Sequence, residues 1–415
     1  MKYIVILGDG MADYPVPELG NKTPLQRANK PIIDDLARHG SLGLVRTVPE
    51  ETSPGSDTAN MSVLGFDPRK YYTGRSPIEA ISMGIALDKS DVAFRCNLVT
   101  LSNDGENSDN FEDKIMIDYS SDEISSEESH ELICAINERF CIDGIKFYPG
   151  ISYRHCMVCN GRGLTSNNTP PHDILERRIG DYLPYDKSDP AHAETLNRIM
   201  RESFDLLSKH PVNIARIKRG LRPANSVWLW GQGTRMELPS FEEKYGVKGV
   251  VISAVDLIKG IGICCGLKPI EVEGATGTID TNYEGKANAA INALNDGADF
   301  AYVHVEAPDE CGHRNEIENK VRSIELIDSR IMPIIIDGLK AFDDYSILVL
   351  PDHPTPLSLR THTRDPVPFA VYTKSKRRLN SKVTGYDEIE AKKTGLYIDV
   401  GHTLMESFIR PSPIS

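Results

Sequence analysis

At 415 residues the chain exceeds the ~250–300 residues at which single cores stop growing, so two domains are expected. It is 40% hydrophobic and 26% charged, as ordinary globular proteins are, and its net charge of −13 argues against a nucleic-acid partner. An anionic small substrate stays open, because local cations or metals override a global field.

Lys2–Leu7 is a continuous apolar run of strand length ended by Gly8-Asp9-Gly10, which leaves Asp9 at a strand's carboxyl end. The same run meets Gly8-Asp9 too soon for a signal peptide, and no apolar run approaches the ~20 residues that span a bilayer. Eight cysteines are present, and Cys156-Met157-Val158-Cys159, without a second pair of metal spacing, reads as core thiols. The expected compartment is the reducing cytoplasm, with no membrane partner; the oligomeric state is not legible.

Thr23-Pro24 starts a helix, Pro31–Arg38 closes a short one on Gly40, and Leu42–Val48 is a strand candidate. Pro54-Gly55 then forces a turn and Asp57–Leu64 continues as a helix, which places Ser56 at a helix N-terminus. Ser56 there is either a plain N-cap or a nucleophile facing orphan N–H groups and the positive end of the helix dipole. Thr73-Gly74-Arg75-Ser76-Pro77 opens a helix through Met83. Character shifts near Asp88, with strands expected at Val92–Leu101 and Tyr153–Cys159, a polar loop at Ser102–Asn110 and a helix at Ala191–Ser208. The expected division is 1–87 with 236–415 as the core and 88–235 as an insert. His172-Asp173, after two prolines, is a turn or a site.

Strands are expected again at Val227–Gly231, Lys248–Ser253 and Phe300–Val305, and helices from Val255, which carries Lys259, and over Glu284–Asp296. Asn315–Lys340 has helical period, interrupted at Pro333. Ser346–Leu350 is a buried-strand pattern that stops at Pro351-Asp352-His353, and a second apolar run covers Pro368–Tyr372. Strands alternating with helices predict an α/β fold with a parallel sheet flanked by helices and a smaller inserted domain.

The ends of these strands carry chemistry. Asp9 follows the first, Asp309 and His313 (four apart) follow Phe300–Val305, and Asp352-His353 follow Ser346–Leu350, with His362 nine residues on. In an open α/β sheet the carboxyl ends share one edge and ligands bind there. Three carboxylates and three imidazoles suffice for two divalent ions, and two such ions bracket the attacking and leaving oxygens of a displacement at phosphorus. Ser56 would supply the hydroxyl.

These residues bring a family into view. Gly8-Asp9-Gly10-Met11, Pro54-Gly55-Ser56-Asp57-Thr58-Ala59-Asn60, Tyr72-Thr73-Gly74-Arg75, Leu257–Gly262, Val303-His304-Val305 with Asp309–His313, Asp352-His353 and His362 with Asp365–Pro368 resemble the cofactor-independent phosphoglycerate mutases of the archaeal type, in the alkaline phosphatase superfamily. The resemblance implies one metal on Asp309, His313 and His362, and another on Asp9, Ser56, Asp352 and His353. It implies Ser56 as the phosphorylated nucleophile, manganese, magnesium or zinc as the metal, and interconversion of 3- and 2-phosphoglycerate without bisphosphoglycerate. Substrate contacts would come from Arg75, Arg154, His172, Asp173, Arg222 and Lys259, while His402 falls outside the site. The chain departs from the family pattern at Glu306-Ala307-Pro308, where archaeal members show Lys-Ala-Thr, and at Pro354, where Ser is usual. A bacterial branch with such features is proposed to act as a homoserine kinase, so that acceptor and a metal-dependent phosphatase remain the alternatives.

Overall fold

The computed structural model describes residues 1–102, 110–141, 144–160 and 168–410. Its strands are β1 (Lys2–Gly8), β2 (Ser41–Val45), β3 (Asp91–Leu101), β4 (Met116–Asp118), β5 (Ile145–Tyr148), β6 (Arg154–Asn160), β7 (Ser226–Thr234), β8 (Gly249–Ile252), β9 (Lys268–Ile270), β10 (Phe300–Val305), β11 (Tyr345–Leu350), β12 (Val367–Thr373) and β13 (Tyr397–Ile398). They divide between two compact units, Met1–Tyr72 with Glu237–Ser415, and Thr73–Met236.

The first unit holds an eight-stranded sheet in the order β13-β2-β12-β11-β1-β10-β8-β9. β1 lies parallel to both β10 and β11, with Leu7 opposite Leu350 and Gly8 opposite Val305, and β10 is parallel to β8. β12 alone runs against its neighbours β11 and β2. β10 and β11 are buried along their whole length, which is why their sequences are unbroken apolar runs rather than alternating ones. On one face Ile4, Ile6, Val303, Val305, Ile347 and Val349 join a core with the helices Tyr283–Asn295, Ile317–Leu326 and Met332–Leu339. On the other, Tyr3 meets Phe408 edge to face.

The interruption expected at Pro333 is a π-helical turn over Ile327–Ile331, and Pro333 itself sits in the first turn of the next helix. Proline lacks an N–H and crowds the carbonyl four residues earlier, so the ladder widens just before it.

The second unit is built on an antiparallel sheet in the order β4-β3-β6-β5, with β7 paired to β3. The helices Ser126–Phe140 and Pro190–Leu207 lay Leu132, Ile133, Ile136, Leu196, Ile199 and Met200 into its core. Cys156 and Cys159 are buried on β6, and all eight cysteines are free thiols. The second compact unit begins at Thr73, where the insert was expected from residue 88. The reason is packing: Ala80, on the helix Ser76–Ser82, joins Ile85 and Leu87 in a cluster with Ala93, Cys156 and Val158 of the second unit's sheet. Most of the expected polar loop Ser102–Asn110 lies outside the described residues.

Candidate metal centre

Parallel β1, β10 and β11 are adjacent, so the residues after their carboxyl ends share one rim. β1 delivers Asp9, β11 delivers Asp352 and His353, and β10 leads into the helix Ala307–Arg314, on which Asp309 and His313 share a face. Because β12 returns antiparallel, the loop that carries His362 also lies at this rim.

The side chains converge. Asp9, Asp352 and His353 place one ligand atom each within 4.8 Å of one another, and so do Asp309, His353 and His362. His353 Nε2 lies 3.5 Å from Asp9 Oδ1 and 3.3 Å from Asp352 Oδ2. His313 Nε2 is 3.2 Å from Asp309 Oδ2 and 2.9 Å from His362 Nε2. His313 Nδ1 donates to the Arg360 carbonyl at 2.9 Å. A carbonyl only accepts, so the neutral ring keeps the Nε2 lone pair for a cation.

Ser56 is not a cap. Gly55 takes the N-cap position with extended backbone, and Ser56 is the first residue of the helix Ser56–Val63. The local N–H groups are satisfied elsewhere: Thr58 N by Asp57 Oδ1 at 2.8 Å and Ala59 N by the Gly55 carbonyl at 3.0 Å. The Ser56 hydroxyl therefore stays free of its own helix and lies 3.1 Å from His353 Nε2.

Behind these groups stands a layer to which the sequence analysis gave no role. His304, inside β10, donates from Nε2 to Asp9 Oδ2 at 2.9 Å, while its Nδ1 accepts from Ser253 at 3.0 Å. Burial, aided by Lys286, pushes the His304 ring down to about 3, so it is the neutral donor this geometry needs. Asn60 donates to Asp352 Oδ2 at 2.7 Å and accepts from Tyr302 at 2.6 Å. The Thr355 hydroxyl donates to Asp309 Oδ1. Only a polar residue inside an apolar strand, as at His304, is a local signal for this layer.

The electrostatics ask for a cation. Burial first, then Asp352 and Asp309, raises the Asp9 carboxyl well above its usual value. Its Oδ1 is buried without a hydrogen-bond partner among the described residues. Two like charges about 4 Å apart repel by about 4 kcal/mol at an effective dielectric of ~20, which a divalent ion removes. Burial also pushes the Asp309 carboxyl up, but hydrogen bonds from His313 and His362 outweigh it and leave Asp309 well below the usual range. His313, hydrogen-bonded to Asp309, rises to about 9. A proton on His313 thus stands where a cation would, and the orphaned oxygen and mixed carboxylate–imidazole donors fit a divalent metal.

The other expected contacts have partners of their own. Lys259, on the helix Asp256–Cys264, is held by Asp256 and Glu271 at 3.0 Å each. Arg222 pairs with Asp118 at 3.1 Å and Asp122 at 3.5 Å. In the second unit Arg75 and Arg95 both pair with Glu79, Arg95 stacks 4.2 Å over Trp230, and the His172 ring is 5.4 Å from that indole. Arg154 acts electrostatically on Arg95 and lies over Tyr153, and Asp173 is 3.7 Å from His172. Arg95, an arginine within an apolar strand, stands at the centre of this cluster.

An α/β sheet whose adjacent strand ends gather carboxylates and imidazoles around a serine hydroxyl has the architecture of metal-dependent phosphoryl-transfer enzymes. Residues 37–213 match the family model described as 2,3-bisphosphoglycerate-independent phosphoglycerate mutase. A probable enzyme of that name from Geobacter sulfurreducens is 50% identical over 409 residues, covering 99% of this chain and 100% of the relative. One from Methanosarcina mazei is 50% identical over 397 residues, covering 95% and 96%. Among solved structures, a Pyrococcus horikoshii protein superposes with a TM-score of 0.81 at 30% identity, covering 98% of this chain and 96% of its own. The cofactor-independent phosphoglycerate mutase of Thermoplasma acidophilum gives 0.68 at 27%, covering 99% of each. The chain belongs to the 2,3-bisphosphoglycerate-independent phosphoglycerate mutase family.

Proposed function

We propose that this chain is an isomerase that interconverts 3- and 2-phosphoglycerate, with Ser56 carrying the phosphoryl group between the two hydroxyls. The observation that carries the reading is the Ser56 hydroxyl, freed from its helix and aimed at His353 within the rim. Asp309, His313 and His362 would hold one divalent cation, and Asp9, Ser56, Asp352 and His353 a second; His353 lies within reach of both groups. Divalent ions there lower the pKa of the hydroxyl and neutralise the phosphoryl oxygens. The nitrogen and oxygen donors suit manganese, magnesium or zinc.

The chain's own residues then do the following. Ser56 Oγ forms a bond to phosphorus as the bond to the 3-oxygen breaks, and that oxygen leaves as the glycerate hydroxyl. The 2-hydroxyl oxygen next attacks the phosphoserine, and Ser56 recovers its proton. The N-terminus of the Ser56 helix turns the positive end of its dipole toward the developing charge. His304 and Asn60 hold Asp9 and Asp352 in place. Arg75, Arg154 and His172, around Arg95 and Trp230, recognise the substrate's anionic groups in this reading and Asp173 accepts from a substrate hydroxyl, while Arg222 and Lys259 serve it only if they leave their acidic partners. All eight cysteines being free thiols supports a cytoplasmic location, and no helix among the described residues is long and apolar enough to cross a membrane.

The test is conversion of 3-phosphoglycerate by the manganese-loaded protein, beside an assay with homoserine and ATP. Ser56→Ala should lower kcat by more than about 10⁴-fold while the protein still binds manganese. Turnover within tenfold of wild type in that variant would remove Ser56 from its role, and activity only with homoserine would replace the substrate.

A further inference from the structure

Two of the three segments that carry the ligands are tied together by one buried ammonium group that touches none of the ligands, and the third joins them through the Thr355 hydroxyl. Lys320, on the helix Ile317–Leu326, has no exposed surface. Its Nζ donates to Asp13 Oδ2 at 2.7 Å and to the Thr355 carbonyl at 2.7 Å. Asp13 belongs to the segment after β1 that holds Asp9, and it accepts from Leu357 N at 3.1 Å. Thr355 belongs to the segment after β11 that holds Asp352 and His353; its N donates to the Ala12 carbonyl at 3.2 Å. Its hydroxyl donates to Asp309, on the segment after β10. Each ligand-bearing segment thus contributes one member to the knot.

Burying an ion pair is a poor way to gain stability, since desolvation of both charges offsets their attraction and apolar substitutes are often neutral or better. Such a pair is best explained by the one arrangement it permits. Here that arrangement is the mutual placement of Asp9, Asp309 and His353, where small misplacements matter most. We propose that Lys320, acting through Asp13 and Thr355, is a positioning residue that fixes the three ligand-bearing segments relative to one another and so sets cation affinity. The proposal rests on the reading that the rim binds divalent cations.

The experiment measures Mn²⁺ binding by calorimetry on the full chain, with thermal melting in EDTA alongside. Lys320→Met combined with Asp13→Asn removes both charges and leaves an acceptor for Leu357 N. It should weaken Mn²⁺ binding about tenfold or more while the EDTA melting temperature stays within a few degrees. Saturating Mn²⁺ should then restore most of kcat. Thr355→Val, which replaces only the hydroxyl by a methyl group, should also lose about tenfold, and Thr355→Ser should restore it. Unchanged Mn²⁺ affinity in the folded double variant overturns the positioning role. So does a fall in melting temperature that accounts for all of the lost binding, with Thr355→Val binding as wild type does. A wild-type protein that binds neither Mn²⁺, Mg²⁺ nor Zn²⁺ would overturn the metal reading itself, and the positioning role with it.

Discussion

Gly312→Ala separates the geometry of the rim from the stability of the fold. Gly312 lies on the helix that carries Asp309 and His313, and a Cβ there would come within 2.6 Å of the Thr355 carbonyl oxygen and 2.8 Å of its methyl group. Ordinary contact begins at 3.4 Å, so helix and loop must part by 0.8 Å. The carbonyl cannot turn aside, because Lys320 holds it at 2.7 Å. If the helix retreats, Asp309 and His313 move; if the loop retreats, the Thr355 hydroxyl leaves Asp309. Helix propensity favours alanine by about 1 kcal/mol, and overpacking costs about 1–3 kcal/mol. The net loss of stability is therefore at most about 2 kcal/mol, a shift of a few degrees in Tm. A displacement near 1 Å in a reacting constellation costs up to about 10²-fold in rate. Formation of 2-phosphoglycerate followed by phosphorus NMR, with Mn²⁺ titration and melting curves on the same protein, reads both quantities. Wild-type kcat/KM and Mn²⁺ affinity in the folded variant would refute the reasoning.

Three further outcomes are expected. The Asp9 carboxyl, raised by burial and by Asp352 and Asp309, contributes stability that is present below its unfolded value and lost as pH rises through its folded one. Asp9→Asn should therefore melt higher than wild type in EDTA near pH 7.5 (roughly neutral) yet lose the stabilisation that Mn²⁺ gives, and a lower melting point in EDTA would contradict this. His313, raised to about 9 by its hydrogen bond to Asp309, must shed a proton to accept a cation. Mn²⁺ affinity should thus rise about tenfold per pH unit until about pH 9 and level off above, and calorimetry in two buffers of different ionisation enthalpy should count about one proton released. Inorganic phosphate should raise the melting temperature only when Mn²⁺ is present, because the bare rim is lined by carboxylates; equal stabilisation in EDTA would place anion binding elsewhere.

What the sequence made legible were the strands that end in chemistry. Lys2–Leu7, Phe300–Val305 and Ser346–Leu350 are apolar runs stopped by turn residues, and Asp9, Asp309, Asp352 and His353 follow those stops directly. The supporting layer was hidden because its meaning lies in partners far along the chain. Lys320 and Asp13 are 307 residues apart, and His304 and Asp9 are 295 apart. Thr355 and Asn60 carry no pattern that distinguishes them from any loop threonine or helical asparagine. The packing of Ser76–Ser82 was hidden for a like reason: it continues the local alternation of helix and strand, and nothing in those residues says which sheet they cover. Ser56 was ambiguous because a cap and a nucleophile occupy the same place in sequence, and only the backbone assigns the cap to Gly55.

The charge balance of the rim explains how so acidic a chain can act on an anion. The molecule carries −13 overall, and three of its carboxylates are gathered at the rim. Without a cation, burial and the neighbouring Asp352 and Asp309 raise the Asp9 carboxyl, and the hydrogen bond to Asp309 raises the His313 ring. Two divalent ions would bring four positive charges to three carboxylates, and the local sign would invert while the global one would hardly change. Affinity for substrate and affinity for metal are then linked through one electrostatic balance. A rigid sheet with its ligands on three adjacent strands is suited to this, because a cation is bound tightly only where its donors cannot drift apart.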